Sequence, residues 1–215
     1  MDAKVHIGVL TPHQAVGPDA EFPAMAPGQI TTRLVRLPSN EQHGCRASGP
    51  TSPSLLAALT KSRSLEDAAR TLATKPIDVV AFASTTSGYA IGFEAETAMV
   101  ARLSQLTGLP AAATCTSAVH ALHVLGIERI ALIGASWFDP EHNDLGSEYF
   151  TAQGFQVVSS QSADLPQDPA PSTLAASPSG CSTTSRTLPK QCSSAATASE
   201  RRKRSTRSKL VSAVP

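Results

Sequence analysis

Four consecutive residues with hydroxyl side chains follow the most apolar short segment of this sequence. Ser84, Thr85, Thr86 and Ser87 come directly after Ile-Asp-Val-Val-Ala-Phe-Ala at residues 77–83, which predicts a buried strand. Hydroxyls and free backbone N–H groups between a strand and a helix can bind a carboxylate or another oxyanion. Ser and Thr are also common helix N-caps. Four in a row exceed what a cap needs, so we favour an anion-binding loop over capping alone.

A second polar loop follows the first predicted strand. Residues 11–18 contain Pro12, His13 and Gln14, which would lie at the carboxyl end of a strand at residues 5–10. The loop lacks the Gly-x-Gly-x-x-Gly spacing of a dinucleotide site. Substrate binding and a rigid crossover loop are equal alternatives here.

A third loop places a cysteine beside two hydroxyls. Cys115 precedes Thr116 and Ser117, either of which is expected to cap the next helix. A thiolate at a helix terminus would be a nucleophile, whereas a cysteine among alanines is more often a small core residue. Trp137 follows the next predicted strand, where it would either line a pocket or pack in the core.

These loops connect strands and helices that are predicted to alternate along the chain. Short apolar runs predict strands at residues 5–10, 30–37, 77–83, 109–113, 127–133 and 155–158. Helical spacing of apolar residues predicts helices at 55–72 (broken near 62–64), 91–106, 117–125 and 139–153. The alternation indicates an α/β fold with a Rossmann-like parallel sheet flanked by helices. Ligands bind such sheets at the carboxyl ends of the strands, where all three loops lie.

Composition limits the partners that can be expected. The 215 residues carry a formal net charge of +1, which gives no overall bias toward nucleic acids, membranes or acidic partners. The cysteines lack metal-ligand spacing, so no metal site is expected. The N-terminus has no signal-peptide pattern, and no apolar run approaches the ~20 residues that span a bilayer. We therefore expect a soluble, cytoplasmic protein, and self-association into a homo-oligomer is compatible with the sequence.

The sequence changes character near Pro166. No aromatic residue follows Phe155, and residues 161–215 are rich in Ser, Thr, Pro and Ala, which is typical of disordered segments. We therefore predict an α/β lobe at residues 1–160 and a disordered basic tail at residues 161–215. A basic run would favour a nucleic-acid partner, but such runs are more often solvated charge, so nucleic-acid binding is not expected. The basic residues near the end are Arg201, Arg202, Lys203, Arg204, Arg207 and Lys209.

Three stretches resemble the aspartate/glutamate racemase superfamily, and within it the group of maleate cis-trans isomerases and arylmalonate decarboxylases. They are IGVLTP with EFPAM (residues 7–12 and 21–25), IDVVAFASTTSGYAIG (77–92) and TGLPAAATCTSAVHALHVLGIERIAL (107–132). The resemblance covers residues 4 to about 160. It implies two similar α/β lobes related by a pseudo-twofold axis, with a cofactor-free site between them, and residues 1–160 would form the first lobe.

The resemblance also implies roles for individual residues. Family members use a cysteine from one or both lobes to move a proton at the carbon beside a carboxylate, or to add to a double bond. The first-lobe cysteine falls on Ser84, whose hydroxyl is far less acidic, so an acid–base role there needs a neighbouring base. Thr85 and Thr86 fall on carboxylate-holding positions, and Thr116 and Ser117 fall on the cap of the second catalytic loop.

Taken together, the resemblance implies a cofactor-independent isomerase, racemase or decarboxylase that acts on a small carboxylic acid and is similar to maleate isomerase. The asparagine that maleate isomerases use in the first loop falls on Ala15, which argues against their particular substrate chemistry. The alternative is a non-catalytic protein, either a truncated lobe or a small-acid binding module with a basic tail. In the enzyme interpretation Ser84 is catalytic, and the substrate-binding residues are Pro12, His13, Gln14, Thr85, Thr86, Thr116, Ser117 and Trp137.

The tail lies where the second lobe of such an enzyme is expected, which suggests a reading-frame shift. Plausible GC-rich codons for residues 187–215, read two bases out of frame, can encode a buried strand, a Gly-rich loop and an amphipathic helix. These are elements that a second α/β lobe needs. A DNA sequence across the codons for residues 163–215 that opens no such frame would end this hypothesis.

Overall fold

The computed structural model describes residues 4–13, 17–37, 52–135 and 140–163, together with the backbone of residues 211–212. Two of the predicted site residues, Gln14 and Trp137, lie outside the described residues. Ala15, the basic run at residues 201–209 and nearly all of the segment to which the tail and reading-frame hypotheses apply lie outside them as well.

Within the described residues, four parallel strands form a first sheet. They are β1 (Val5–Thr11), β2 (Ile30–Arg36), β3 (Val79–Phe82) and β4 (Ala111–Ala113), in the order β2-β1-β3-β4. Every pair is parallel, and in the central strand β1 Leu10 lies opposite both Val35 of β2 and Phe82 of β3. The predicted parallel α/β arrangement is confirmed. The carboxyl ends of β1 and β3 lie side by side.

Helices cover this sheet and connect its strands. They are α1 (Pro18–Met25), α2 (Pro53–Thr60), α3 (Arg63–Ala73), α4 (Thr85–Ile91) and α5 (Phe93–Thr107). The break predicted near residues 62–64 is confirmed at Ser62, whose Oγ accepts the backbone N–H of Leu65 (3.3 Å) and caps α3. Helix α5 ends at Gly108, whose φ of +70° is a left-handed conformation that favours glycine.

The first core lies between this sheet and the helices α3 and α5. Leu10 and Val80 of the sheet, Leu72 of α3 and Leu103 of α5 all have 0% of their surface exposed. Burial of an aliphatic side chain of this size contributes about 1.5–3 kcal/mol. This core fixes β1 and β3 relative to each other, and with them the loops that follow.

From Arg129 onward, the described strands belong to a second sheet. It contains β5 (Arg129–Gly134), β6 (Gln156–Ser162) and the two-residue β7 (Val211–Ser212), all parallel and in the order β6-β5-β7. Helices α6 (Thr114–Val124) and α7 (Pro140–Ala152) precede and follow β5. The order repeats β2-β1-β3 of the first sheet, with β5 in the central place of β1.

The described strands therefore form two sheets, whereas their alternation in the sequence indicated one; the bounds of the lobe at residues 1–160 stay a prediction. Strand β5 has a core of its own, in which Ile130 and Leu132 pack with Tyr149, Phe150 and Phe155. The ring centroids of Tyr149 and Phe150 are 5.5 Å apart, and those of Phe150 and Phe155 are 5.9 Å apart, both edge to face. Because β5 buries its apolar residues against α6, α7 and β6, it does not extend the first sheet.

Helix α4 follows the first sheet in the chain and packs against the core of the second sheet. It begins directly after β3, and its Tyr89 ring lies 5.8 Å from the ring of Tyr149 and 6.1 Å from that of Phe150 in the second core. The hydroxyl run at the start of α4 is therefore held by the packing of both sheets.

Candidate functional site

The loops after β1 and β3 meet at one edge of the first sheet. Because the two strands pair in parallel with Leu10 opposite Phe82, the residues that follow them emerge side by side. His13 lies two residues after β1 and Ser84 two residues after β3, and 3.3 Å separates His13 Nε2 from Ser84 Oγ. Two candidate residues from different loops are therefore in contact.

The hydroxyl run is buried throughout. Ser84 is 2% exposed, Thr85 5%, Thr86 3% and Ser87 0%. Ser84 caps α4, because its Oγ accepts the backbone N–H of Ser87 (3.3 Å) and donates to Ser87 Oγ (2.7 Å). Capping thus accounts for the two serines but not for the two threonines between them.

The part of the fold that the structure describes does not use the hydroxyl of Thr86. Its Oγ1 is buried and has no hydrogen-bond partner among the described residues. A buried polar group without a partner costs about 1–3 kcal/mol, and such groups are rare in native proteins. A ligand oxygen that accepted this hydrogen would remove the cost.

His13 is a partly buried base beside Ser84. Its backbone N–H donates to Oγ1 of Thr11 (3.2 Å), the last residue of β1. Burial lowers the pKa of His13, and the charge of the nearby His142, a buried residue of α7, lowers it further. Both effects disfavour the imidazolium, so His13 is a neutral imidazole at neutral pH and can accept a proton.

Glu96 is a buried carboxylate that the sequence patterns did not single out. It lies in α5 with 0% of its surface exposed. Its Oε1 accepts the backbone N–H of Cys115 (3.2 Å), and its Oε2 accepts the N–H of Thr116 (3.1 Å) and the hydroxyl of Tyr149 (2.5 Å). Burial raises the pKa of Glu96, and these hydrogen bonds oppose the rise. The carboxylate therefore joins α5, the start of α6 and helix α7 of the second core.

The spacing of α5 contains the signal that could have revealed Glu96. Met99 and Leu103 follow it at three and seven residues, and all three lie on the buried face of the helix. An acidic residue in line with two core residues indicates a hydrogen-bonded, buried carboxylate rather than a solvated one.

The contacts of Glu96 also explain how the third loop is capped. A helix N-terminus can bind an anion, but the first N–H groups of α6, on Cys115 and Thr116, already donate to Glu96. Thr116 Oγ1 donates to the carbonyl of Ala113 (3.3 Å), and Ser117 is exposed. Glu96 thus supplies acceptor oxygens for these N–H groups, and a role of Thr116 and Ser117 in substrate binding stays a prediction.

Cys115 packs in the core. It is 1% exposed, and its Sγ donates to the backbone carbonyl of Thr85 (3.3 Å). Burial and the charge of Glu96 raise the pKa of Cys115 well above its ordinary value. A Cβ added to Gly88 would stand 2.7 Å from the sulfur, so the thiol lies directly against α4. Of the two interpretations of this residue, the structure favours the small core residue.

We expect Cys115 to resist alkylation in the folded protein. Because the thiolate is the reactive form and burial disfavours it, iodoacetamide should modify Cys115 at least about tenfold more slowly in the native protein than in guanidinium chloride. Peptide mapping by mass spectrometry separates Cys115 from Cys45, Cys181 and Cys192. Equal rates in the native and the unfolded chain would identify the sulfur as an accessible nucleophile.

A small cavity lies at the carboxyl end of β5. Its volume is about 10 Å³, and Tyr89, Leu132, His142 and Ser160 are among the residues that line it. A space of this size suits about one water molecule. None of the predicted site residues lines it, so we do not assign the substrate to this cavity.

The described residues contain neither a metal cluster nor a membrane helix. No group of three or more His, Cys, Asp and Glu side chains among them is placed to hold a metal ion. No helix in the same part of the chain is both long and apolar enough to cross a membrane.

Pro12, another predicted substrate-binding residue, lies between β1 and His13 and is half-buried.

Comparison with protein families gives one clear match. A family model described as arylmalonate decarboxylase matches residues 61–170, about half of the chain. No curated protein matches the sequence. The matched segment includes the hydroxyl run, Glu96 and the third loop, and it extends into the second sheet.

Solved structures with the same fold come from the group that the sequence resembles. Maleate isomerase from Pseudomonas putida has 18% identity and a TM-score of 0.62, and the match covers 74% of this chain and 63% of that one. A maleate cis-trans isomerase mutant from Nocardia farcinica, with a covalently bound succinylcysteine intermediate, has 20% identity and a TM-score of 0.62 over 74% and 64%. An arylmalonate decarboxylase has 19% identity and a TM-score of 0.62 over 83% and 70%. The resemblance is confirmed, and this chain spans less than two thirds of the length of the two isomerases.

Proposed function

This chain belongs to the arylmalonate decarboxylase family, and on that premise we propose that it is a cofactor-independent enzyme of the isomerase or decarboxylase type. We propose a small carboxylic acid as its substrate. The related structures are named for maleate and arylmalonate. Both are small dicarboxylates, so the feature that a shared site would recognise is a carboxylate.

The observation that carries the proposal is the unused hydroxyl of Thr86. It is buried, it lacks a partner among the described residues, and it lies between Ser84 and Ser87 at the end of β3. A substrate carboxylate has acceptor oxygens only, so it suits a site whose free polar group is a donor. Thr85 would contribute a second hydroxyl, and Ser84 would lie nearest to the reacting carbon.

The reaction class follows from the chemistry of the carbon next to a carboxylate. When a C–H or C–CO₂⁻ bond at that carbon breaks, the electron pair left behind delocalises into the remaining carboxylate. Hydrogen-bond donors that already face this carboxylate stabilise the charge as it develops. Thr85 and Thr86 would act in this way, without a metal or an organic cofactor in the proposed step.

We expect the full chain to catalyse exchange at the carbon beside a carboxylate. In deuterated water, proton NMR should show loss of the α-proton signal, or release of CO₂, for at least one acid among phenylmalonate, malonate, succinate, aspartate, glutamate and maleate. The Ser84→Ala variant should lower that rate by about 10²–10⁴-fold, the usual contribution of a group that transfers protons.

Two results would contradict the enzyme proposal. The first is an absence of exchange and of CO₂ release with every acid in the set. The second is exchange that Ser84→Ala leaves unchanged, because the activity would then come from elsewhere. Glu94→Ala is a suitable control, since Glu94 is exposed on α5 and should not change the rate.

A small-acid binding module is the second candidate function. The observation that favours it is that the buried Thr86 hydroxyl can hold a carboxylate without any catalytic group, and the match covers 63% of the Pseudomonas putida maleate isomerase. A binding module would take up the acid at the Thr86 loop but would not exchange its α-proton. Binding and exchange measured on the same acid therefore separate the two functions.

A further inference from the structure

A serine hydroxyl and an imidazole face each other where the first two site loops meet. Ser84 Oγ and His13 Nε2 are 3.3 Å apart, and the two residues are 71 positions apart in the sequence. We propose that Ser84 and His13 act as a single proton-transfer pair, in which His13 is the base and acid that works through the Ser84 oxygen. This inference rests on the proposed function and names the groups that would carry out its proton step.

The surroundings of Ser84 suit an oxygen that gains negative charge. The backbone N–H of Ser87 points at Ser84 Oγ (3.3 Å), and the Ser87 hydroxyl is 2.7 Å from the same oxygen. A hydroxyl can rotate to donate or to accept. For the Ser84 proton to move toward His13, the Ser84 hydroxyl turns from Ser87 to His13 Nε2, and the Ser87 hydroxyl turns and donates to the Ser84 oxygen.

The surroundings of His13 suit a base. Among the described residues, the groups that face it are Ser84 from the loop after β3, Thr11 from β1 and His142 from α7. None of the three is an acid that would hold His13 as an imidazolium, and a charge on His142 would oppose one. Burial lowers the pKa of His13 as well, so the pair rests with a neutral imidazole.

The proposed step balances without any further reactant. During exchange, the C–H bond beside the bound carboxylate breaks and its proton passes to the Ser84 oxygen, while the Ser84 proton passes to His13 Nε2. The electron pair of the broken bond delocalises into the carboxylate. The reverse transfer returns a proton to the carbon, and water exchanges the proton on His13. If the C–CO₂⁻ bond breaks instead, CO₂ leaves and the electron pair stays on the carbon, which takes the proton of the Ser84 hydroxyl. His13 then relays a proton from water back to the Ser84 oxygen, so that water is the net proton donor.

The first test detects the pair without any turnover. In a Ser84→Cys variant of the full chain, the new thiol is titrated by its thiolate absorbance near 240 nm, with the wild type subtracted to remove the other cysteines. We expect the pKa of this thiol to be at least about one unit lower than in the Ser84→Cys/His13→Gln variant, because the His13 imidazole can take the thiol proton and the imidazolium so formed favours the thiolate. Glutamine keeps a polar group near Ser84 but cannot accept the proton. Equal pKa values in the two variants would overturn the pair.

The second test measures exchange in the single and double variants. His13→Gln and Ser84→Ala should each lower the rate by about 10²–10⁴-fold. The double variant should be no slower than the slower single variant, because two residues that act as one unit are not additive. The control is His120→Gln, since His120 is exposed on α6 and should leave the rate unchanged.

The outcomes separate this inference from the proposed function. Exchange in the wild type that His13→Gln leaves unchanged overturns the pair but retains the enzyme. A thiol pKa that depends on His13, together with no exchange in the wild type for any acid, confirms the pair but overturns the enzyme. Additive losses in the double variant show that the two residues act separately, which also contradicts the proposal.

Discussion

Replacing Glu96 with alanine is expected to lower the free energy of unfolding by roughly 3 kcal/mol or more. The change removes the acceptor of the N–H groups of Cys115 and Thr116 and of the Tyr149 hydroxyl. Each buried donor that loses its acceptor costs about 1–3 kcal/mol. Because the carboxylate joins α5, α6 and α7, the loss affects the contact between the two sheets. Urea unfolding followed by circular dichroism measures the change.

Two further variants show that the hydrogen bonds are the cause. Glu96→Gln keeps the size of the side chain and one acceptor oxygen, but it turns an NH₂ group toward a backbone donor, so its loss should be smaller than that of alanine. Glu94→Ala removes an exposed carboxylate from the first turn of the same helix and should cost less than about 1 kcal/mol. Equal losses for Glu94→Ala and Glu96→Ala would contradict the described network.

The same variants differ in how their stability depends on pH. Burial raises the pKa of Glu96 above its ordinary value of 4.5, so the native state holds this proton more tightly than the unfolded chain. The contribution is fully present below about pH 4.5 and is lost as the pH rises through the higher pKa of the native state. Glutamine does not titrate. The stability of the wild type relative to Glu96→Gln should therefore decrease as the pH rises from 4.5.

Replacing Thr86 with valine is expected to stabilise the protein and to weaken its binding of carboxylates. Valine has the shape of threonine but lacks the buried hydroxyl that has no partner among the described residues, so unfolding should require up to about 1–3 kcal/mol more. A hydrogen bond to a charged group contributes about 1.5–3 kcal/mol, so the dissociation constant of a bound acid should rise about 10- to 100-fold. Thermal unfolding and isothermal titration calorimetry measure the two effects.

Thr60 offers a matched control for the stability effect. It is also buried at 2% exposure, but its Oγ1 donates to the carbonyl of Ala57 (2.8 Å). Thr60→Val removes a hydroxyl whose hydrogen bond is made, so it should destabilise the protein by about 0.5–1.5 kcal/mol. If Thr86→Val destabilised the protein as much as Thr60→Val does, the Thr86 hydroxyl would have a partner within the fold.

The sequence predicted the elements of the fold better than their grouping. The apolar runs before Thr11 and Ser84 identify β1 and β3, and the spacing of Leu65 and Leu72 identifies α3, because burial of these residues dominates the local structure. Alternating strands and helices look the same whether a strand joins one sheet or begins another. The second sheet could therefore be identified only in the structure, where Ile130 forms a separate core with α6 and α7. Helix α1 was not predicted, since it contains Pro23 and buries no residue.

Part of the site was predictable from the sequence. The hydroxyl run follows a strand that is evident in the sequence, so Ser84, Thr85 and Thr86 could be assigned to a ligand loop. The contact between His13 and Ser84 depends on β1 and β3 being neighbours, and the sequence does not contain that order directly. The spacing of Glu96 with Met99 and Leu103 indicates that it is buried, but its partners come from two other helices and could not be identified from the sequence.

The binding of phenylmalonate to three forms of the full chain tests the central claim that the loop after β3 holds a carboxylate. The forms are the wild type, Thr86→Val and Thr97→Val, the last of which removes an exposed hydroxyl on α5. Calorimetric titration should give binding to the wild type, the same dissociation constant for Thr97→Val, and a dissociation constant about 10- to 100-fold higher for Thr86→Val. Equal dissociation constants for Thr86→Val and the wild type would contradict the claim, because the acid would then bind without the buried Thr86 hydroxyl, which has no partner among the described residues.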